Sequence, residues 1–248
     1  MIELSSVSVE FKSGDTKLLA LDNINLLINQ GEFVVVIGAN GSGKSTLLNS
    51  IAGNCKVKEG SVLLNKNDVT QWPDYKRSKF ISRIFQNPLS GTAPDLSIID
   101  NFRLAAIRTH SKNLHIGIDG DFRKKVHDQI AFLEMGLENK LDQSMGSLSG
   151  GQRQALTLIM SVMDETKNLL LDEPTAALDP KSAEIVLTKT QHLVSAYKLT
   201  ALLVTHEIKF ASIYGNRLIQ MAEGKILKDL DEIEKSKLTT QEIYSWFN

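Results

Sequence analysis

The chain has 248 residues, 42% of them hydrophobic, and 28 Lys plus Arg against 29 Asp plus Glu leave a formal net charge of −1. A balance this close to neutral gives no general electrostatic reason to bind nucleic acid or an anionic membrane surface, and a single cysteine, Cys55, excludes an intramolecular disulfide framework. The length suffices for a substantial core in one α/β domain.

From the N-terminus, Met1-Ile2-Glu3-Leu4 lacks the basic start and apolar stretch of a signal peptide. Val7, Val9 and Phe11 then alternate with Ser8 and Glu10, the period of a half-buried strand. A turn is expected at Ser13-Gly14-Asp15, and a second strand through residues 18–21. After Gly31 comes the unbroken run Phe33-Val34-Val35-Val36-Ile37, which reads as a strand covered on both faces, as in a parallel sheet. The run Lys44–Ala52 reads as a helix, with Gly53 at its end.

Between about residues 87 and 163 helical spacing replaces the strand signals. Phe122, Val126, Ile130 and Leu133 fall three or four apart, and Ala155, Leu158, Ile159 and Val162 repeat the pattern. Strands return at Leu169-Leu170-Leu171 and Ala201-Leu202-Leu203-Val204, and Asp179-Pro180 between them reads as an N-cap followed by a first-turn proline. The expected plan is a single domain: an α/β core over residues 1–86 and 164–248, interrupted by a helical subdomain over 87–163. No apolar stretch approaches the roughly 18–20 residues that span a bilayer. A cytoplasmic chain is therefore expected, linked to a membrane only through a partner.

Gly38-Ala39-Asn40-Gly41-Ser42-Gly43-Lys44-Ser45, followed by Thr46, fits the phosphate-binding loop pattern G-x-x-x-x-G-K-[ST]. Its glycines let the backbone turn N–H groups inward, and the helix that follows offers its positive end to the same anion. Lys44 would neutralise β- and γ-phosphate charge and the Ser45 hydroxyl would ligate Mg²⁺. Leu169-Leu170-Leu171-Asp172-Glu173 is an apolar strand ending in two carboxylates: Asp172 is expected to hold the metal and Glu173 to act as general base on water. A second glycine turn, Leu148-Ser149-Gly150-Gly151-Gln152, opens the helix carrying Ala155 and Leu158 and is another potential anion site.

In this order the motifs resemble those of ATP-binding cassette (ABC) ATPases over nearly the whole chain, with Leu148 to Gln152 matching the family signature at every position. The resemblance implies a P-loop NTPase (RecA-like) core with an N-terminal antiparallel β-subdomain and a helical insertion. It implies roles as well. Gln86, at the end of the strand expected over residues 81–85, resembles the glutamine that senses Mg²⁺ and the γ-phosphate and couples to a membrane partner. Ala177-Leu178-Asp179 resembles the D-loop, with alanine where serine is more usual. His206 resembles the switch histidine at the γ-phosphate, and Phe11 the aromatic that stacks on adenine, a place more often held by tyrosine.

The family further implies that Ser149, Gly150, Gly151 and Gln152 complete the ATP site of a second copy, so that ATP and Mg²⁺ are expected in a homodimer. A lone cassette of this length resembles the subunits of bacterial importers that work on transmembrane permease subunits at the inner face of the cell membrane, together with an extracytoplasmic solute-binding protein. The stretch Gln86-Asn87-Pro88-Leu89-Ser90-Gly91-Thr92-Ala93-Pro94 resembles a subgroup with amino-acid-type cargo. Non-transport members of the superfamily are the alternative. They carry tandem cassettes or long coiled coils, and this chain has a single cassette with no room for a coiled coil between Ser45 and Asp172. A regulatory subunit would be expected to have lost Lys44, Glu173 or His206.

Overall fold

The computed structural model describes residues 1–14, 16–107, 117–163 and 166–247. They divide into two compact units, the first comprising Met1–Ile81, Lys167–Glu173 and Leu193–Asn248, the second Ser82–Thr166 and Pro174–His192. The strands are β1 (Ile2–Ser13), β2 (Thr16–Ile28), β3 (Phe33–Gly38), β4 (Glu59–Leu64), β5 (Asn67–Asp68), β6 (Ile81–Ile84), β7 (Asn168–Asp172), β8 (Thr200–Val204), β9 (Arg217–Ala222) and β10 (Lys225–Leu230).

In the first unit an antiparallel sheet runs in the order β2-β1-β4-β5. Both β1 and β2 are longer than the alternating pattern suggests. Register shifts between Leu4 and Glu10, with positive φ at Ser6 and Asn23, bulge the pair and interrupt the period without ending it. The second sheet of this unit has the order β10-β9-β3-β8-β7, with β9, β3, β8 and β7 parallel and β10 antiparallel at the edge. Every residue of β3 is buried, as its unbroken apolar run requires. One core joins the two sheets: Ile2, Val7 and Ile24 share it with Val34, Val36, Leu170, Leu202 and Ile219.

The helix Lys44–Ala52 packs its Leu47, Leu48 and Ile51 into the same core and ends at Gly53, whose φ of 85° closes the last turn. Its C-terminal carbonyls are held by an arginine. Arg77 is 2% exposed and donates to Ser50 O (2.7 Å), Ile51 O (3.0 Å), Thr70 O (3.0 Å) and Trp72 O (2.9 Å). A guanidinium presents five N–H donors in a rigid fork, so one side chain satisfies four carbonyls from two segments. A Cβ at Gly53 would lie 2.8 Å from Arg77 Nε, which leaves no room for a larger residue there.

In the second unit, helices Ile98–Ala106 and Gly120–Ala131 both pack against the helix Gly150–Ser161. Val126 and Ile130 face inward as their spacing requires, with Leu133 buried just past the helix end. The helix Gly150–Ser161 is buried well beyond the face traced by Ala155, Leu158 and Ile159: from Gly151 to Ser161 only Gln152 is not buried. It is the central helix of its unit. The unit also takes in Pro174–His192, with Asp179 capping the helix Pro180–Tyr197 by accepting from Ser182 N at 3.0 Å.

Replacing Arg77 by methionine keeps the apolar stem but strands four carbonyls, two of them in buried hydrogen bonds. The expected loss is about 3 kcal/mol of folding stability, measured by urea titration with an unchanged m value; a loss below about 1 kcal/mol would show that water or neighbouring groups replace the arginine.

Candidate nucleotide-binding and catalytic site

Because β3, β7 and β8 are parallel and in register, their C-terminal ends meet one edge of the sheet, where open α/β sheets gather ligands. The ladder continues past the strands: Thr205 N donates to Val36 O at 3.1 Å and Glu173 N to Val204 O at 3.0 Å. Three residues distant in sequence, Gly38, Glu173 and His206, thus leave the sheet side by side.

The loop after β3 wraps a cavity of about 520 Å³ lined by Asn40 to Thr46, with Phe11, Leu18, Leu19 and Ala20 on one wall and Glu173, Glu223 and Gly224 on others. Backbone crowding dictates its glycines. Gly43 has φ of 101°, and a Cβ there would sit 2.7 Å from Ala20 O; at Gly38 a Cβ would sit 2.3 Å from Met221 O. Gly224 N donates to Ser42 O at 3.1 Å, and Asp22 N to Gly224 O at 2.9 Å, so the turn between β9 and β10 backs the loop.

The helix Lys44–Ala52 begins at Gly43 with no side-chain cap, whereas the helices beginning after Ser97, Asp119 and Ser149 are capped by those residues' own side chains. Its first-turn N–H groups therefore point their partial positive charge toward the cavity without a competing side-chain acceptor. Lys44 is 6% exposed, and its Nζ donates to Gly38 O and Ala39 O, both at 2.9 Å. Burial holds this ammonium below its usual pKa of 10.5, while the carboxylates of Glu173 and Asp172 pull the other way.

Ser45 Oγ and Asp172 Oδ1 stand 3.4 Å apart. One hydroxyl and one carboxylate make a sparse, hard-oxygen donor set, which fits Mg²⁺ held partly by phosphate and water and not an all-protein cage. No cluster of three or more His, Cys, Asp or Glu with metal-holding geometry occurs among the described residues. Beside this pair, Glu173 Oε2 lies 3.2 Å from His206 Nδ1, the glutamate side chain 17% exposed and the histidine 53%. Glu173 has φ of 46°, a left-handed conformation that costs a non-glycine residue free energy and fixes where its carboxylate emerges. Phe11 pairs with Leu18 across β1 and β2 and remains 45% exposed on the cavity wall.

Gln86, Ser149 to Gln152 and Asp179 belong to the second unit. Ser149 Oγ accepts from Gln152 N at 3.3 Å, and Gln152 Oε1 from Ser149 N at 3.1 Å, a reciprocal capping box. A Cβ at Gly151 would lie 2.7 Å from Ser182 Oγ, and that hydroxyl donates to Asp179 Oδ2 at 2.6 Å. Gly151 thereby lets the turn close on Ser182, whereas a Cβ at Gly150 would make only ordinary contact, 3.7 Å from Leu178 Cδ2. The cavity walls formed by Leu18 to Ala20 and by Glu223-Gly224 were not singled out by the sequence. The pair Glu223-Gly224 between two apolar runs has the form of a two-residue hairpin turn, but nothing local says that it meets the loop.

The backbone strain at Glu173 is separable from its carboxylate. Glu173→Gly is expected to be about 1 kcal/mol more stable than Glu173→Ala in denaturant titration, since both lack the carboxylate and only alanine keeps the left-handed penalty; equal stabilities would mean the turn relaxes.

The ABC transporter family pattern matches residues 21–176. The "Tyrosine transport ATP-binding protein" of Clostridioides difficile (strain R20291) is 39% identical over 252 residues, covering 100% of this chain and 98% of that protein. The "Phosphonates import ATP-binding protein PhnC" of Lactococcus lactis subsp. lactis (strain IL1403) is 33% identical, covering 98% of each. Among solved structures, the ATP-binding cassette MJ0796, as a dimer in a post-hydrolysis state bound to ADP and Pi, has a TM-score of 0.80 at 30% identity, covering 94% of this chain and 99% of that one. The cassette MJ1267 in its ADP conformation has a TM-score of 0.79 at 27% identity, covering 99% and 98%. With the cassette fold, a phosphate-binding loop and relatives matched along essentially their full length, this chain belongs to the ABC transporter family and is one of its ATP-binding, ATP-hydrolysing subunits.

Proposed function

We propose that the cavity of the first unit binds Mg·ATP, that Glu173 activates the attacking water, and that hydrolysis drives solute uptake through a separate permease. The observation that carries this reading is the common sheet edge at which the loop, the Asp172-Glu173 pair and His206 emerge, with the loop and Glu173 on the cavity wall. Backbone N–H groups of residues 39–46 cradle the phosphates. Lys44 commits two of its three donors to Gly38 O and Ala39 O, leaving the third for a phosphate oxygen. Ser45 and Asp172 would hold Mg²⁺, which when bound would neutralise charge on the β- and γ-phosphates, and Gln86 would sense the metal and the γ-phosphate. Glu173 accepts the proton of the attacking water, and His206 at 3.2 Å steadies that carboxylate and reaches toward the γ-phosphate. Phe11 stacks on adenine.

The second half of the site comes from a second copy. Ser149, Gly150, Gly151, Gln152 and Asp179 face the partner's nucleotide, so the γ-phosphate holds two cassettes together and its loss lets them part. The dimeric MJ0796 cassette supports this arrangement. In the second unit a groove of about 370 Å³, lined by Gly91, Thr92, Ala93, Leu104, Ala105 and Met160, suits a helix offered by a transmembrane permease at the cytoplasmic face of the membrane. No helix among the described residues is long and apolar enough to cross a membrane itself. The tyrosine transport relative supports an amino-acid cargo of aromatic type; capture of that cargo outside the cell by a solute-binding protein is part of the same proposal.

Hydrolysis by the purified chain is expected to require Mg²⁺ and to rise more steeply than protein concentration. Glu173→Gln should abolish turnover while sedimentation shows an ATP-stabilised dimer, and Phe11→Ala should weaken ATP binding about tenfold, the scale of one lost stacking contact. Wild-type turnover in Glu173→Gln would remove the glutamate from its role.

A further inference from the structure

Gln154 lies one turn into the helix Gly150–Ser161 and is 1% exposed. An amide so removed from water needs an acceptor inside the protein. Its Nε2 donates to Phe85 O at 3.0 Å, the carbonyl of the peptide bond whose nitrogen belongs to Gln86. That C=O and the Gln86 N–H share one rigid plane, so a hand on the oxygen orients the start of Gln86 as well.

The far end of the same segment is held to the other side of the signature turn. Met145 N donates to Leu96 O at 2.9 Å, Gly146 N to Pro94 O at 2.8 Å, and Ser144 Oγ to Pro94 O at 2.8 Å. Residues 85–96 are therefore tied at both ends to residues 144–154, the run that contains Ser149 to Gln152. Between the ties lie Gly91, Thr92 and Ala93, which line the groove of this unit.

We propose that Gln154 is a positioning residue for Gln86, locking the Phe85–Gln86 peptide to the signature helix so that the glutamine and the Ser149 turn move as one piece. This rests on the role given above to Gln86. Pressure on the groove then reaches the turn that faces the partner's nucleotide through the ties at both ends of the segment, of which the Gln154 bond is the one that sets Gln86, and the reverse holds by linkage.

The test uses the full chain and Gln154→Met, which keeps length and apolar packing and loses the donor. Hydrogen–deuterium exchange should rise about tenfold in a peptide covering residues 86–93 and stay unchanged over residues 38–52. ATP hydrolysis should lose about tenfold in kcat with little change in KM, and adding Gln86→Ala should cost nothing beyond that single substitution, since the two act in series. Gln154→His, which retains a ring N–H, should recover part of both effects and serves as the second variant should the methionine protein fold poorly. Unchanged exchange over 86–93, or kcat losses that multiply, would overturn the proposal. A Gln86→Ala protein with wild-type kcat would instead refute the role of Gln86, and the exchange result would still decide whether Gln154 holds the segment.

Discussion

The parallel register of β3, β8 and β7 is the constraint on which the nucleotide cavity rests. Side chains alternate faces along a strand, so a slip of one residue between β7 and β8 would turn Asp172 away from Ser45 and carry Glu173 out of reach of His206. Two backbone hydrogen bonds beyond the strand ends, Glu173 N to Val204 O and Thr205 N to Val36 O, extend the register into the loops themselves. The left-handed backbone of Glu173 is tolerated because this ladder determines it from one side. Chemistry at the edge is a consequence of pairing inside the sheet.

Two glycine turns of similar composition serve opposite purposes because their helix ends differ. After Gly43 the first turn has no side-chain cap, and a buried lysine stands over it. After Ser149 the capping box satisfies the turn internally, and Gly151 permits the close approach of Ser182. The first turn can grip an anion alone. The second is satisfied by its own capping box, so in the proposed dimer only its remaining N–H groups and the helix dipole would attract phosphate, which suits a contact that must be released.

Much of this was legible from residue order. The helix Lys44–Ala52 with its glycine terminus, the buried strands β3, β7 and β8, and the cap at Asp179 follow local rules of period, capping and turn chemistry, and the structure has them where those rules put them. The limits were non-local. The bulges near Ser6 and Asn23 obscured how far β1 and β2 run. The helix Gly150–Ser161 read as one-faced because apolar spacing marks one stripe, while small and polar residues such as Thr157 and Gln154 are buried on the others. Pro174–His192 groups with the second unit through packing that no local pattern announces, and Glu223-Gly224 backs the phosphate loop across some 180 residues of chain.

The position of β3 also sets an order of events during synthesis. The strand leaves the ribosome early, yet both of its neighbours, β8 and β9, belong to the last part of the chain. Until they arrive, Phe33 to Ile37 is an apolar, β-branched segment with two open edges, the kind of stretch that seeks other chains. Its pairing is of high sequence separation and correspondingly slow. Nascent cassettes therefore pass most of their translation with the phosphate loop attached to an unpaired strand, and a truncation before β8 leaves a fragment inclined to aggregate and not a smaller nucleotide-binding protein.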